Sequence, residues 1–324
     1  MTATAQQPRA LPRPVRQLIT ALPFVAPSMV IFGAFVFYPL AKSVYLSFYK
    51  SNPFHTREIY VGLENYQEIF ASGDFRSTLL ITGTFALYTV VPSLIIGTFL
   101  AVLANQKLPG IVIYRTIFMS TIAASVAIAS VLWLVLFHPS IGVLNDITGK
   151  VGLEPAWLRD GGWAVEQHSG FGVFTAWFAD PNWALIAVSL ATIWMNIGLF
   201  TMILLAGLQT IPDELYESAR VDGAGPWSQF RHVTLPMLSP SLFFAAVIGL
   251  IFSFQAFGQF NLLTQGGPAN ASTTLLYAIY QDGFRDFRTG AASVEALALF
   301  VILLGLTLLL FRLSAGRVFY GGQR

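Results

Sequence analysis

Six stretches of this chain, near 23–47, 78–104, 114–137, 183–208, 239–262 and 290–312, are each long and apolar enough to cross a bilayer as a helix. A spanning helix needs ~20 mostly apolar residues, because hydrocarbon offers no water to satisfy backbone N–H and C=O groups. Composition agrees. Hydrophobic residues make up 55% of the chain and charged residues 10%, whereas a soluble domain carries about 25% charged residues. So few charges cannot cover a water-facing surface. The pattern predicts an all-α, polytopic transmembrane bundle of about six spanning helices over 23–312, flanked by tails 1–22 and 313–324. Pro27 and Pro39 interrupt the first span and Pro92 the second. Spanning helices tolerate such breakers when neighbours satisfy the freed carbonyls.

Arg9, Arg13 and Arg16 precede the first apolar run, which is the layout of a signal peptide. The run continues from about Leu22 to Phe48, far beyond the ~7–15 apolar residues of a cleavable signal, so it reads as a retained span. An even number of spans puts both termini on one side. If that side is the cytoplasm, the inner segments hold ten cations against four acids, leaving eight of the 18 cations and twelve of the 16 acids outside. This bias predicts cytoplasmic termini. Trp177 and Trp183 flank the fourth span, where an aromatic belt is expected, and Trp157 and Trp163 precede them in the outer segment 138–182. The chain has no cysteine, which removes disulfides, thiolate catalysis and Cys-type metal sites. Its four histidines show no ligand spacing, so no metal and no cofactor is predicted.

The inner loop 209–238 has well-marked local physics. Pro212 suits a helix start, and Asp213 and Glu214 follow in the first turn, where the macrodipole favours acids. Leu215, Tyr216 and Ala219 form an apolar strip. Gly223 and Gly225 then end the helix, and Gly223 is expected to need a positive φ. Pro226 starts a second short helix that Pro236 is expected to stop. The result is a helix–turn–helix outside the membrane, whose exposed strip needs a partner.

Within that loop, Glu217-Ser218-Ala219, three residues, Gly223, nine residues and Val233-Thr234-Leu235-Pro236 resemble the EAA loop of ABC-importer permeases. Ser218 replaces the second alanine of the family pattern and Val233 its isoleucine; both spacings match. The resemblance extends over most of the chain. LAGLQTIPDELYESARVDGA, QGGPANASTTLLYAIY and VGLENY are similar to carbohydrate-type permeases of the MalF group. SNPF, VDGAGP, TTLLYAIYQDGF and the FR…RVFY tail lean toward the UgpA-type subunits of glycerol-3-phosphate importers. The resemblance implies an inner-membrane permease subunit of a sugar, polyol or glycerol-3-phosphate importer. It would pair with a second homologous permease on two ATPase subunits, and an external solute-binding protein would deliver the solute. The loop then forms the ATPase coupling contact, with Glu217, Ser218, Ala219, Gly223, Leu235 and Pro236 as its residues.

No GxxxxGK[ST] loop occurs, so the chain carries no nest of backbone amides for nucleotide phosphates. ATP hydrolysis belongs to another chain, and this one is not an enzyme. Polar residues inside spans are the default candidates for a solute path. These are Trp194 and Asn196 in the fourth span and Gln255, Gln259 and Asn261 in the fifth, the last three interleaved with phenylalanines. Gln255 and Gln259, four apart, are expected on one helical face. The plainer reading is that they hydrogen-bond to neighbouring helices as bundle glue. Glu295, near the outer end of the sixth span, is expected to reach the interface. No lysine or arginine lies mid-span, so a phosphate would rely on helix N-termini, backbone amides or the partner permease. The alternative is a self-powered secondary transporter. It would need an intramembrane charge for ion coupling, and none sits at the midplane. A membrane enzyme would need a polar catalytic cluster, and no HExxH, paired carboxylates or Ser/Lys pair is present.

Overall fold

A computed structural model describes residues 13–51, 58–137 and 183–314, apart from Lys107 and Pro268, together with residues 143, 144 and 147, and side chains from residue 21 onward, apart from Ser51 and Trp183. The tails' outer portions and the Trp157, Trp163 and Trp177 segment lie outside the described residues. Helices dominate, as expected. The first span, Ala21–Leu46, combines α1 (Arg13–Phe32) and α2 (Tyr38–Leu46) through a π turn at Gly33–Phe37. A two-stranded antiparallel pair follows, β1 (Tyr49–Ser51) with β2 (Glu58–Tyr60), in the register Tyr49 opposite Tyr60. This pair is the one departure from an all-α description among the described residues. Helix α3 (Glu64–Ala71) leads into α4 (Gly73–Ala104), whose N-cap Ser72 accepts the Phe75 N–H at 3.2 Å.

The third span is not one helix. Helices α5 (Ile111–Met119) and α6 (Val126–Leu136) are separated by a 3-10 turn and bent by 101° at residues 124–125. Ser125 starts α6 as its N-cap, accepting the Ile128 N–H at 3.3 Å. Where α4 meets α5, Arg115 donates from Nε and Nη2 to the Ala104 carbonyl (2.9 and 2.6 Å). A cation there complements the carbonyl-rich C-terminus of α4.

Helix α7 (Trp183–Leu208) is the fourth span. The loop then carries α8 (Asp213–Val221) and α9 (Pro226–Gln229), followed by a π turn at Phe230–Thr234 and α10 (Leu235–Phe254). Pro236 does not stop the helix: Pro226–Phe254 is one 29-residue helical run. A proline removes one N–H and clashes with the carbonyl four residues back. Here residue 232 lies inside the π turn, where the Leu235 N–H reaches back five residues to the Phe230 carbonyl. The first span uses the same device, with Pro39 two residues beyond its π turn and the Tyr38 N–H bonded to the Gly33 carbonyl.

The fifth span therefore begins earlier and ends earlier than 239–262. It breaks after Phe254, and α11 (Gly258–Leu263) is a separate short helix. Helix α12 (Leu275–Tyr280) and a π turn (Gln281–Arg285) precede the sixth span, α13 (Thr289–Ser314). Buried Phe85, Leu185, Val188, Phe260 and Tyr277 pack α4, α7, α11 and α12 together. Ala101, Ala104, Leu204, Leu208 and Leu238 form a second cluster at the loop end. Hydroxyls join helices within this core: Thr89 Oγ1 meets Ser253 Oγ at 2.8 Å, and Thr82 Oγ1 accepts the Leu275 N–H at 2.8 Å. Such bonds satisfy polar groups that lipid could not.

Candidate functional site

Helix α8 ends in a left-handed residue, Gly223 at φ +81°. The Ala224 N–H reaches the Ala219 carbonyl at 2.9 Å and the Gly223 N–H the Arg220 carbonyl at 3.0 Å, the paired bonds of a Schellman end. Gly225 does not end α8; at φ −70°, ψ 171° it is the N-cap of α9, with Pro226 in the first turn. Tyr216 turns inward. It packs on the Leu204–Leu208–Leu238 cluster, and its hydroxyl lies 3.1 Å from Thr234 Oγ1, tying α8 to the π turn. Gln229 Nε2 donates to the Ala224 carbonyl at 2.7 Å and holds the turn closed.

Of the residues expected on this loop's docking face, Glu217, Ser218 and Gly223 are exposed and Ala219 is half-buried. Leu215 is exposed too, and so are two apolar residues the sequence reading passed over, Val221 (88%) and Trp227 (71%). Leu235 and Pro236 are exposed but belong to the start of α10. Leu235 faces an apolar groove that it shares with Trp227, Phe230 and Phe99.

The polar residues of the fourth and fifth spans divide. Gln255, Gln259 and Asn196 line one cavity of about 500 Å³, together with Thr121, Thr192 and Phe252. Trp194 and Asn261 are not among its described lining residues. Trp194 packs edge-on against Trp133, with ring centroids 6.3 Å apart. The two glutamines do not share a face of one helix: Gln255 caps the end of α10 and Gln259 sits in α11. Neither amide has a hydrogen-bond partner among the described residues. The cavity exists because two spans break beside each other. A Cβ on Gly258, at the break in the fifth span, would lie 2.8 Å from Val126 Cγ1, just past the break in the third. Thr121, Ala124 and Val126 from that bend line the cavity beside Gln255, Ala256 and Phe257. Non-helical backbone at membrane depth is tolerated where it is buried in protein or lines a cavity. Ile122 (43%), Val126 (41%) and Phe252 (50%) are exposed along this site, so this chain bounds only part of it.

At the opposite end of the bundle lies an ion cluster. Lys50 bridges Glu64 and Glu68 at 3.0 Å each, and Arg288 joins Glu68 to Asp282, 3.5 Å away. The hydrogen bond from Lys50 holds the Glu68 carboxyl below its usual range, and burial pushes the Asp282 carboxyl up. Glu295 does not reach the interface. It is 6% exposed, folded inward beneath this cluster.

The family described as "Binding-protein-dependent transport system inner membrane component" matches residues 93–318 of this chain. The chain belongs to that family. Over 297 residues it is 32% identical to the sn-glycerol-3-phosphate transport system permease protein UgpA of Yersinia pestis bv. Antiqua (strain Antiqua), covering 91% of this chain and 94% of the relative. The same-named protein of Agrobacterium fabrum is 31% identical over 298 residues, covering 92% and 95%. In fold, the chain matches a bacterial alginate ABC transporter solved with an alginate pentasaccharide-bound periplasmic protein, with a TM-score of 0.75 and 22% identity over 94% of this chain and 96% of that one. This family member is a multi-pass membrane protein and a permease subunit of an ABC importer, working with a binding protein. It transports rather than catalyses. A self-powered secondary transporter is therefore set aside. The third-span bend and the fifth-span break, both missed in the sequence reading, are where this permease departs from straight spans.

Proposed function

We propose that this chain forms half of the path for a small polar solute, paired with a second homologous permease on two ATPase subunits. The solute is a sugar, a polyol or glycerol-3-phosphate. An external binding protein delivers it to the permease, which sits in a bacterial cytoplasmic membrane with both termini of the chain inside. Residues 23–312 are the permease domain, 1–22 and 313–324 its cytoplasmic tails.

The observation that carries this reading is the amide-lined cavity at two broken spans. Gln255, Gln259 and Asn196 offer donors and acceptors to hydroxyls, and Phe252 and Phe257 offer apolar faces to C–H surfaces. Trp194 and Asn261 are not part of this wall, and Trp194 packs on Trp133 instead. No lysine or arginine is among the described lining residues, so a phosphate charge would be met by backbone or by the partner permease. The helical run Pro226–Phe254 starts at the loop and ends against Gln255. Its 29 residues, about 43 Å at 1.5 Å each, make it a lever between the two sites. ATP-driven closure of the ATPase pair moves the loop, through Glu217, Ser218, Ala219 and Gly223, and Leu235 and Pro236 pass the motion into α10.

The test is uptake by the reconstituted complex. Gln255→Ala should weaken the transport step by roughly 0.5–1.5 kcal/mol, the worth of one hydrogen bond to a neutral group. Gln259→Trp should block passage by filling the cavity. Normal uptake by both, at normal complex abundance, would refute the path.

A further inference from the structure

A second cavity, of about 460 Å³, opens at the end of the bundle away from the loop. The 32-residue α4, about 48 Å long, places Asp74 in this cavity's wall and Ala104 beside the loop cluster. Five carboxylates line it, Glu68, Asp74, Asp282, Asp286 and Glu295, against one cation, Arg288. Arg288 is already engaged by Glu68 and Asp282, and Lys50 shares Glu68. Asp74, Asp286 and Glu295 make no ion pair among the described residues.

Glu295 is the informative member. It is 6% exposed, it lines the cavity, and its Oε2 has no hydrogen-bond partner among the described residues. A buried carboxylate oxygen left unpaired is costly, so the site is incomplete as it stands. The acids do not converge as metal ligands do: no group of three or more His, Cys, Asp or Glu among the described residues could hold an ion. The excess of acids over cations in the lining instead suits a cationic side chain. Beside lining residues Ile69, Asp282 and Arg288 in sequence, Phe70 (55%), Phe284 (71%) and Phe287 (44%) are exposed, and apolar contacts of this kind can exclude water from a buried anchor in a protein interface.

We infer that this acidic cavity receives a lysine or arginine side chain of the external binding protein, with Glu295 as its buried counter-charge. The inference rests on the permease reading and on the loop being cytoplasmic. Docking is then anchored about 45 Å from the coupling loop, on helices α4 and α13 that run toward it.

The experiment measures uptake by the reconstituted complex against binding-protein concentration. Glu295→Gln keeps the shape and removes the charge. It should raise the half-saturating binding-protein concentration by about tenfold or more, since losing one partner of a desolvated charge pair is costly, while uptake at saturation stays near wild type. Asp286→Asn, at the exposed lip, should give a smaller rise that vanishes at high salt. Reversing single basic residues on the binding protein should reveal one position whose loss is not additive with Glu295→Gln. An unchanged half-saturation in Glu295→Gln, in a complex of normal abundance, would overturn the inference. A wild-type complex that ignores the binding protein altogether would instead overturn the permease reading.

Discussion

Two glycines show how a single missing Cβ acts for different reasons. At Gly223 (φ +81°) an added Cβ would meet nothing within 4 Å, so the constraint is conformational alone. The left-handed region costs a non-glycine residue roughly 1–2 kcal/mol, with asparagine the best tolerated. Uptake should therefore fall in the order Gly223→Asn, Gly223→Ala, Gly223→Val, with ATPase activity progressively uncoupled. Equal, wild-type uptake by all three would show that the loop does not need this turn. Gly249 is the steric case. There a Cβ would lie 2.7 Å from Phe200 Cζ and 3.2 Å from Val90 Cγ1, and Phe200 is fully buried with nowhere to move. Gly249→Leu should cost more than the ~1–3 kcal/mol usual for overpacking and lower the melting temperature of the complex. A melting temperature within a degree of wild type would mean that α4, α7 and α10 do not meet as tightly as described.

Among the elements, the π turns before Pro39 and Pro236 explain how spans with internal prolines stay continuous. Each turn holds one extra residue, so the helix beyond it is rotated relative to an unbroken α-helix. Pro236→Ala removes the reason for the turn before α10 and should let the segment close as α-helix. Because α8 is tied to that turn by the contact between Tyr216 and Thr234, the loop should then sit differently on its partner. The expected result is reduced uptake in a complex that still assembles, together with faster amide exchange at 230–235. Unchanged exchange and uptake would show that the π turn is held by something other than the proline. The break at 255–257 belongs to the same scale. Sequence periodicity ran straight through it, because Phe252, Phe254, Phe257 and Phe260 continue an apolar pattern that hides a change of helix.

For the whole molecule, orientation is the property to test, and the Cys-free chain makes the test clean. A cysteine replacing exposed Gln67, in α3, should react with impermeant thiol reagents in intact cells. One replacing exposed Asp222, beside Gly223, should react only after permeabilisation. Labelling of the Asp222 position from outside would invert the topology, and with it the side to which both cavities open.

What the sequence determined by itself is what depends on neighbours along the chain. Runs of ~20 apolar residues define spans because each helix must satisfy its own backbone in lipid. Pro212, the acids after it and Gly223 define the ends of α8 because capping is local. The loop's spacing pointed to the family for the same reason. Tertiary structure decided what depends on residues far apart. The third and fifth spans break where they do because each break faces the other, Val126 against Gly258, and together they leave a cavity that neither segment encodes alone. Gln255 and Gln259 reach that cavity from two helices rather than from one face. Glu295 is buried because α3, α4 and the 281–288 corner fold over it, and a one-dimensional hydropathy pattern carries no trace of that enclosure.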